Sequence, residues 1–259
     1  MGASFLITLR EGLEISIVLA VLVGYLVKTG RREHLSAVWI GSGIAAVACL
    51  IAGLAVHAAT DGLEGKAEQA VEGTMALLAV VVLTLMILWM RKNAASMGGA
   101  LRDKLDLATS ATAVAVVAFV GVAREGFETA LFLLSAENGS ASSSDVVVGG
   151  LIGVAVSAVL GLLIYVGGRR LDLRAFFRWT GVLLILFAAG LVGKMFHEYR
   201  ELLGFESGWL IDPAWNITTG AFAEGTTHDF LKGLFGWSPD AERIRVITYV
   251  AYLLSLIHI

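Results

Sequence analysis

"FLITLREGLEISIVLAVLVGYL", residues 5–26, is apolar along most of its length, yet it carries Arg10, Glu11 and Glu14 inside the run. A helix needs roughly 20 residues at 1.5 Å rise each to cross the hydrocarbon core, so this stretch is long enough to span a bilayer. Charged side chains at that depth are costly unless they face a cavity or one another. The arrangement returns in "VAREGFETALFLL", residues 122–134, with Arg124, Glu125 and Glu128. Two copies of R-E-G-[LF]-E, each within an apolar run, predict an all-α polytopic membrane protein with ionisable groups gathered in its interior.

The rest of the chain agrees. Its 259 residues are 57% hydrophobic and 16% charged with only two prolines, and the mean hydropathy of +0.80 lies outside the range of ordinary soluble domains. Seven transmembrane helices are predicted, over about 3–27, 36–58, 69–91, 109–135, 146–167, 176–198 and 244–259. The last is only about 24 Å long as a helix. The first resembles a signal peptide in position, but it has no basic segment before it and carries acids within it, so it reads as a retained span.

Basic residues set the predicted orientation. Lys28, Arg31 and Arg32 follow the first span; Arg91, Lys92, Arg102 and Lys104 the third; Arg169, Arg170, Arg174 and Arg178 the fifth. Eleven of the nineteen Lys and Arg residues thus fall in three loops on one side. The positive-inside rule makes that side cytoplasmic, with the N-terminus outside and the C-terminus inside the plasma membrane. The opposite side carries Asp61, Glu64 and Glu68, a Ser/Gly-rich connection at 135–145, and a long segment from about 199 to 243. Its Trp, Gly and Pro punctuation predicts a folded re-entrant or interfacial structure. An acidic outer surface would concentrate cations at the entrance.

The two motifs lie in spans one and four. A three-span unit reverses direction, so residues 1–92 and 109–198 read as a 3+3 inverted repeat, with 199–243 as outer loop and 244–259 as an appended seventh helix. Within each copy the glutamates are i,i+3 and the arginine is i,i+4 to the second glutamate, so all share nearly one helical face. Facing each other, the motifs would present Glu11, Glu14, Glu125 and Glu128 with Arg10 and Arg124 beside them, a cage for a hard cation taking oxygen ligands. Gly12 and Gly126 would permit close helix approach. Ion pairs gluing helices together and a proton path without metal are the competing readings. Four acids against two bases leave uncompensated charge that packing does not need, which favours ion coordination.

Further candidate ligands are Glu68 and Glu72, on a stripe with Glu64 spaced by four, and His197 and Glu198 near the outer end of span six. A solvated helix end explains Glu64 and Glu68 about as well, and a headgroup-level histidine explains His197. Met75, Met86, Met90, Met97 and Met195 are scattered and read as packing residues. Cys49 alone cannot build a thiolate cluster. No phosphate-binding loop or dinucleotide fingerprint occurs in a strand context, and the five histidines are dispersed, so an enzyme is not expected.

"TLREGLE", "AREGFE", "HEYRELLG", "AWNITTG" and "GLFGWSP" together resemble the oxidase-dependent iron permease family, the high-affinity iron permeases of fungi and their bacterial EfeU-type relatives. The likeness extends over most of the chain. It implies seven spans, an outside N-terminus and iron import, with Glu11, Glu14, Glu125 and Glu128 in the essential carboxylate positions. It also implies iron, Fe2+ or Fe3+, as substrate with no bound cofactor, and extracytoplasmic partners: a cupredoxin-like or M75-peptidase-like iron-binding protein and a haem peroxidase. Phe127 in place of the commoner leucine, and Lys194 near the outer acids, depart from the pattern. The alternative expectation is a transporter or channel for another divalent metal such as manganese, zinc or lead, because oxygen ligands alone do not choose among them.

Overall fold

Apolar runs that lack proline satisfy their backbone groups in lipid by closing them into helices. In the computed structural model, which describes residues 2–60, 62–93, 103–137, 143–167, 173–205 and 207–257, they form α1 (Gly2–Lys28), α2 (Leu35–Thr60), α3 (Lys66–Asn93), α4 (Ala111–Glu137), α5 (Ser143–Gly167), α6 (Leu173–Leu203), α7 (Thr226–Phe235) and α8 (Arg243–Ile257). Asp61, Met97, Arg102, Arg169, Arg170 and the end of the seventh predicted span lie outside the described residues.

By length and composition α2, α3, α5 and α6 can each cross a membrane. Helices α1 and α4 are just as suitable in length, at 27 residues each. Every 18-residue stretch of either contains at least three charged residues because the motif lies near the middle. The exposed faces are those of a lipid-facing bundle: Trp39, Ile40, Ile44, Leu50, Ile51 and Leu54 project outward from α2. The chain is an all-α, multi-pass membrane protein.

Helix α6 runs five residues past the predicted 198, and charge did not stop it. The stop is Gly204, whose φ of +71° lets the chain reverse while the N–H groups of Gly204 and Phe205 donate to the carbonyls of Glu201 and Arg200 at 3.0 and 3.2 Å.

Neighbours in sequence are not the main neighbours in space. Helix α1 packs chiefly on α5, α2 on α4, and α3 on α6; α1 also crosses α4, and α8 lies along α6. Small residues allow the close crossings. A Cβ at Gly153 of α5 would come within 2.5 Å of the Phe5 carbonyl and 2.9 Å of the Leu9 nitrogen on α1, where Thr8 Oγ1 donates to the Gly150 carbonyl at 3.0 Å. A Cβ at Gly126 of α4 would meet Cys49 Sγ of α2 at 2.9 Å.

Two apolar clusters bracket the motifs. One gathers Ile7, Leu83, Phe132, Phe187 and Leu234 from α1, α3, α4, α6 and α7. The other gathers Leu22, Leu26, Val38 and Val114 around Leu105, which a short helical turn at 103–107 delivers to the opposite end of the bundle. Arg31 holds that turn by donating to the carbonyls of Leu105, at 3.1 Å, and Ala108, and the Tyr25 hydroxyl donates to Asp106.

The segment after α6 is folded, as its punctuation predicted. Residues 210–217 run against 239–244 through backbone bonds of 2.8–3.1 Å, and Trp215 stacks on Trp237 with ring centroids 5.2 Å apart. Helix α7 dips inward until its capping glycine, Gly236 (φ +66°), touches α6 backbone to backbone. A Cβ on Gly190 would lie 2.8 Å from Gly236 N and from the Phe235 carbonyl.

Candidate metal centre

Crossing α1 over α4 sets the two motifs against each other between the apolar clusters. One carboxylate oxygen from each of Glu11, Glu14 and Glu125 lies within 4.8 Å of the others, and all three side chains are buried. Hard cations hold oxygen ligands at about 2.0–2.6 Å, so oxygens on opposite sides of one ion stand roughly 4–5 Å apart. The three groups are therefore already spaced to share a cation. Glu128, also buried, completes the set of four motif acids.

The arginines are held differently. Arg10 is 2% exposed; its Nη1 lies 2.7 Å from Glu11 Oε1 and its Nη2 2.9 Å from Glu14 Oε1. The same two nitrogens meet the thioethers of Met86, at 3.3 Å, and Met90, at 2.6 Å. Arg124 is 42% exposed, with Nε 3.2 Å from Glu128 Oε1 and 3.7 Å from Glu125 Oε1, and its guanidinium lies 4.7 Å from the centroid of the Trp89 ring.

These contacts leave much of the acid unused. Glu11, Glu14, Glu125 and Glu128 each retain a buried Oε2 with no hydrogen-bond partner. Counted formally, four carboxylates against two guanidiniums leave two negative charges. Buried charge without compensation is strongly destabilising, whereas a divalent cation brought into the cage would both neutralise it and occupy the free oxygens.

The other predicted ligands are not part of this cage. Glu72 precedes Met86 by fourteen residues on α3, about 21 Å along the helix. Its Oε2 lies 2.7 Å from Lys194 Nζ of α6. His197 bonds to Glu242 through Nδ1 at 3.1 Å and lies 3.5 Å from Glu201 through Nε2, while Arg200 reaches Glu242 at 3.0 Å. Glu198 is half-buried beside them with its Cβ against Gly73, and Glu68 is exposed at the start of α3. This cluster ties α3, α6 and the residue before α8 together: Lys194 engages Glu72, and His197 and Arg200 engage Glu201 and Glu242.

Met86 and Met90 pack in the first apolar cluster, as expected, and also contact a motif arginine, while Trp89 contacts the other. Their spacing of i, i+3, i+4 on one face of α3 was visible in the sequence, but apolar residues in a membrane helix carry no signal that separates this role from packing.

The family model described as "Iron permease FTR1 family" matches residues 1–259. Among curated proteins, the chain is 33% identical over 262 residues to a protein named ferrous iron permease EfeU from Yersinia pestis, covering 98% of this chain and 91% of the relative. A like-named protein of Yersinia pseudotuberculosis serotype I is 33% identical over 258 residues, covering 96% and 88%. One from Escherichia coli O6:H1 is 33% identical over 266 residues, covering 98% and 93%. No solved structure matches the chain.

Proposed function

The chain belongs to the iron permease FTR1 family, and from that premise we propose that it imports iron across a bacterial inner membrane through the carboxylate cage between α1 and α4. The observation that carries this reading is the convergence of Glu11, Glu14 and Glu125 from two helices within 4.8 Å, with free buried oxygens. The family is one of permeases, so the cage holds cargo in passage, and the protein is not an enzyme.

Charge balance favours ferrous iron: a divalent ion cancels the two uncompensated negative charges, whereas a trivalent one overshoots. Iron gathers at the acidic outer surface, loses water as the four glutamates replace it, and leaves inward as the arginines reclaim their carboxylates. An inside-negative potential contributes about 2.3 kcal/mol per charge per 100 mV toward entry.

The seven-span reading adds α1, α4 and α8 to the four helices that qualify by composition, with the N-terminus outside. Residues 1–92 and 109–198 form the inverted halves. The pairing pattern supports this: exchanging α1 with α4, α2 with α5 and α3 with α6 turns the α1–α5 contact into α4–α2 and leaves the α1–α4 and α3–α6 contacts unchanged. The 199–243 segment faces the exterior, where an iron-binding protein and a haem peroxidase would hand over the metal.

The test is iron uptake into proteoliposomes under an inside-negative potential, with ferrous iron held reduced in one arm and ferric iron chelated in the other. Wild type is expected to carry ferrous iron and the Glu14→Gln/Glu128→Gln double variant to carry none. Undiminished flux in a folded double variant would refute the cage as the route. Stronger competition by manganese or zinc than by unlabelled iron would reassign the cargo.

A further inference from the structure

Helix α3 enters the cage from the side, and its Met86 and Met90 share Arg10 with the motif acids. Nη1 stands 2.7 Å from Glu11 Oε1 and 3.3 Å from Met86 Sδ; Nη2 stands 2.9 Å from Glu14 Oε1 and 2.6 Å from Met90 Sδ. Arg10 is withdrawn from water and its Nε has no hydrogen-bond partner, so the position of the guanidinium rests on two carboxylates and two thioethers. These partners are unequal. A thioether sulfur is a weak acceptor, and a carboxylate is a strong, charge-assisted one. A stronger acceptor on α3 would draw the guanidinium off the carboxylates, and an apolar side chain there would release it onto them.

We propose that Met86 and Met90 are positioning residues that act through Arg10, setting how far its charge neutralises Glu11 and Glu14 and therefore how tightly the cage takes a cation. The thioethers hold the guanidinium in an intermediate state, loosely enough to leave the acids available to iron and firmly enough to keep it at hand when iron must be released. This inference rests on the reading of the cage as the transport site.

The prediction has opposite signs for two substitutions of similar size. In M86L/M90L the guanidinium leans fully on the acids, and the KM for ferrous iron rises roughly threefold to tenfold. In M86Q/M90Q the amide oxygens compete for the guanidinium, so KM falls and maximal uptake slows because bound iron leaves less readily. A merely structural role would shift both variants the same way. The measurement is the concentration dependence of ferrous uptake in proteoliposomes, with the single substitutions M86L and M86Q carried alongside so that misfolding of a double variant leaves the comparison readable. Unchanged KM in both directions, or a shift of the same sign, overturns the inference. Glu11→Gln is the control: uptake that survives it overturns the cage reading and this inference together, whereas uptake lost there with unmoved methionine variants overturns this inference alone.

Discussion

The two R-E-G-[LF]-E motifs are nearly identical in sequence and unlike in surroundings. In α1, Arg10 is enclosed at 2% exposure and reaches both of its glutamates within 2.9 Å; in α4, Arg124 is 42% exposed and reaches its glutamates at 3.2 and 3.7 Å. The difference originates outside the motifs. Helix α3 offers two thioethers to one arginine and an indole face to the other. Duplicated sequence therefore supplies duplicated ligands, while the surrounding helices decide which arginine is enclosed and which is exposed.

Removing each arginine should divide the copies most widely. Arg10→Met leaves two buried carboxylates without their cation and is expected to cost about 3–5 kcal/mol, whereas Arg124→Met removes a cation that is 42% exposed and stands farther from its glutamates, and should cost less. Thermal unfolding of the detergent-purified protein reads both, and equal losses would break the distinction. Next come the second glutamates. Glu14 belongs to the close trio and Glu128 stands outside it, so Glu14→Gln should lower iron uptake by ~100-fold or more and Glu128→Gln, as a supporting group, by nearer ~10-fold. A larger loss at Glu128 would make α4 the principal binding helix. The smallest contrast lies in the central glycines. Alanine at 12 would overlap the Ser157 hydroxyl and alanine at 126 would press on Cys49, each costing about 1–3 kcal/mol as overpacking. Ser157→Gly should restore the first and Cys49→Ala the second, and crossed rescue would contradict the α1–α5 and α2–α4 pairings.

Much of this was legible in the sequence because membrane helices announce themselves by length and apolarity, and because a charge inside one demands a partner. The motif spacing also put Glu11, Glu14 and Arg10 on a common face. What could not be read was which helix meets which. Pairing α1 with α5 depends on Gly153 admitting the backbone of Phe5 and Leu9, and glycine occurs throughout these spans. Helix α6 continues past the predicted span end at 198 because a membrane-crossing length does not mark where a helix stops; it stops where Gly204 permits the reversal. Glu72 read as a potential ligand since its partner is remote in sequence: Glu72 and Lys194 are 122 positions apart but 2.7 Å in space.

The interleaved pairing also bears on how the protein is made. Helix α1 leaves the ribosome before its main neighbour, α5, and its crossing partner, α4, each of which starts more than a hundred residues after α1 does. During that interval the first helix must reside in lipid carrying ionised side chains, each of which costs about 2.5–3.5 kcal/mol at the centre of an inserting segment. The ion pair of Arg10 with Glu14 spans a single helical turn and needs no other part of the chain. It cancels two of the three charges from the moment the helix forms, so the spacing that later shapes the transport site first allows the nascent segment to wait in the bilayer for the rest of the protein.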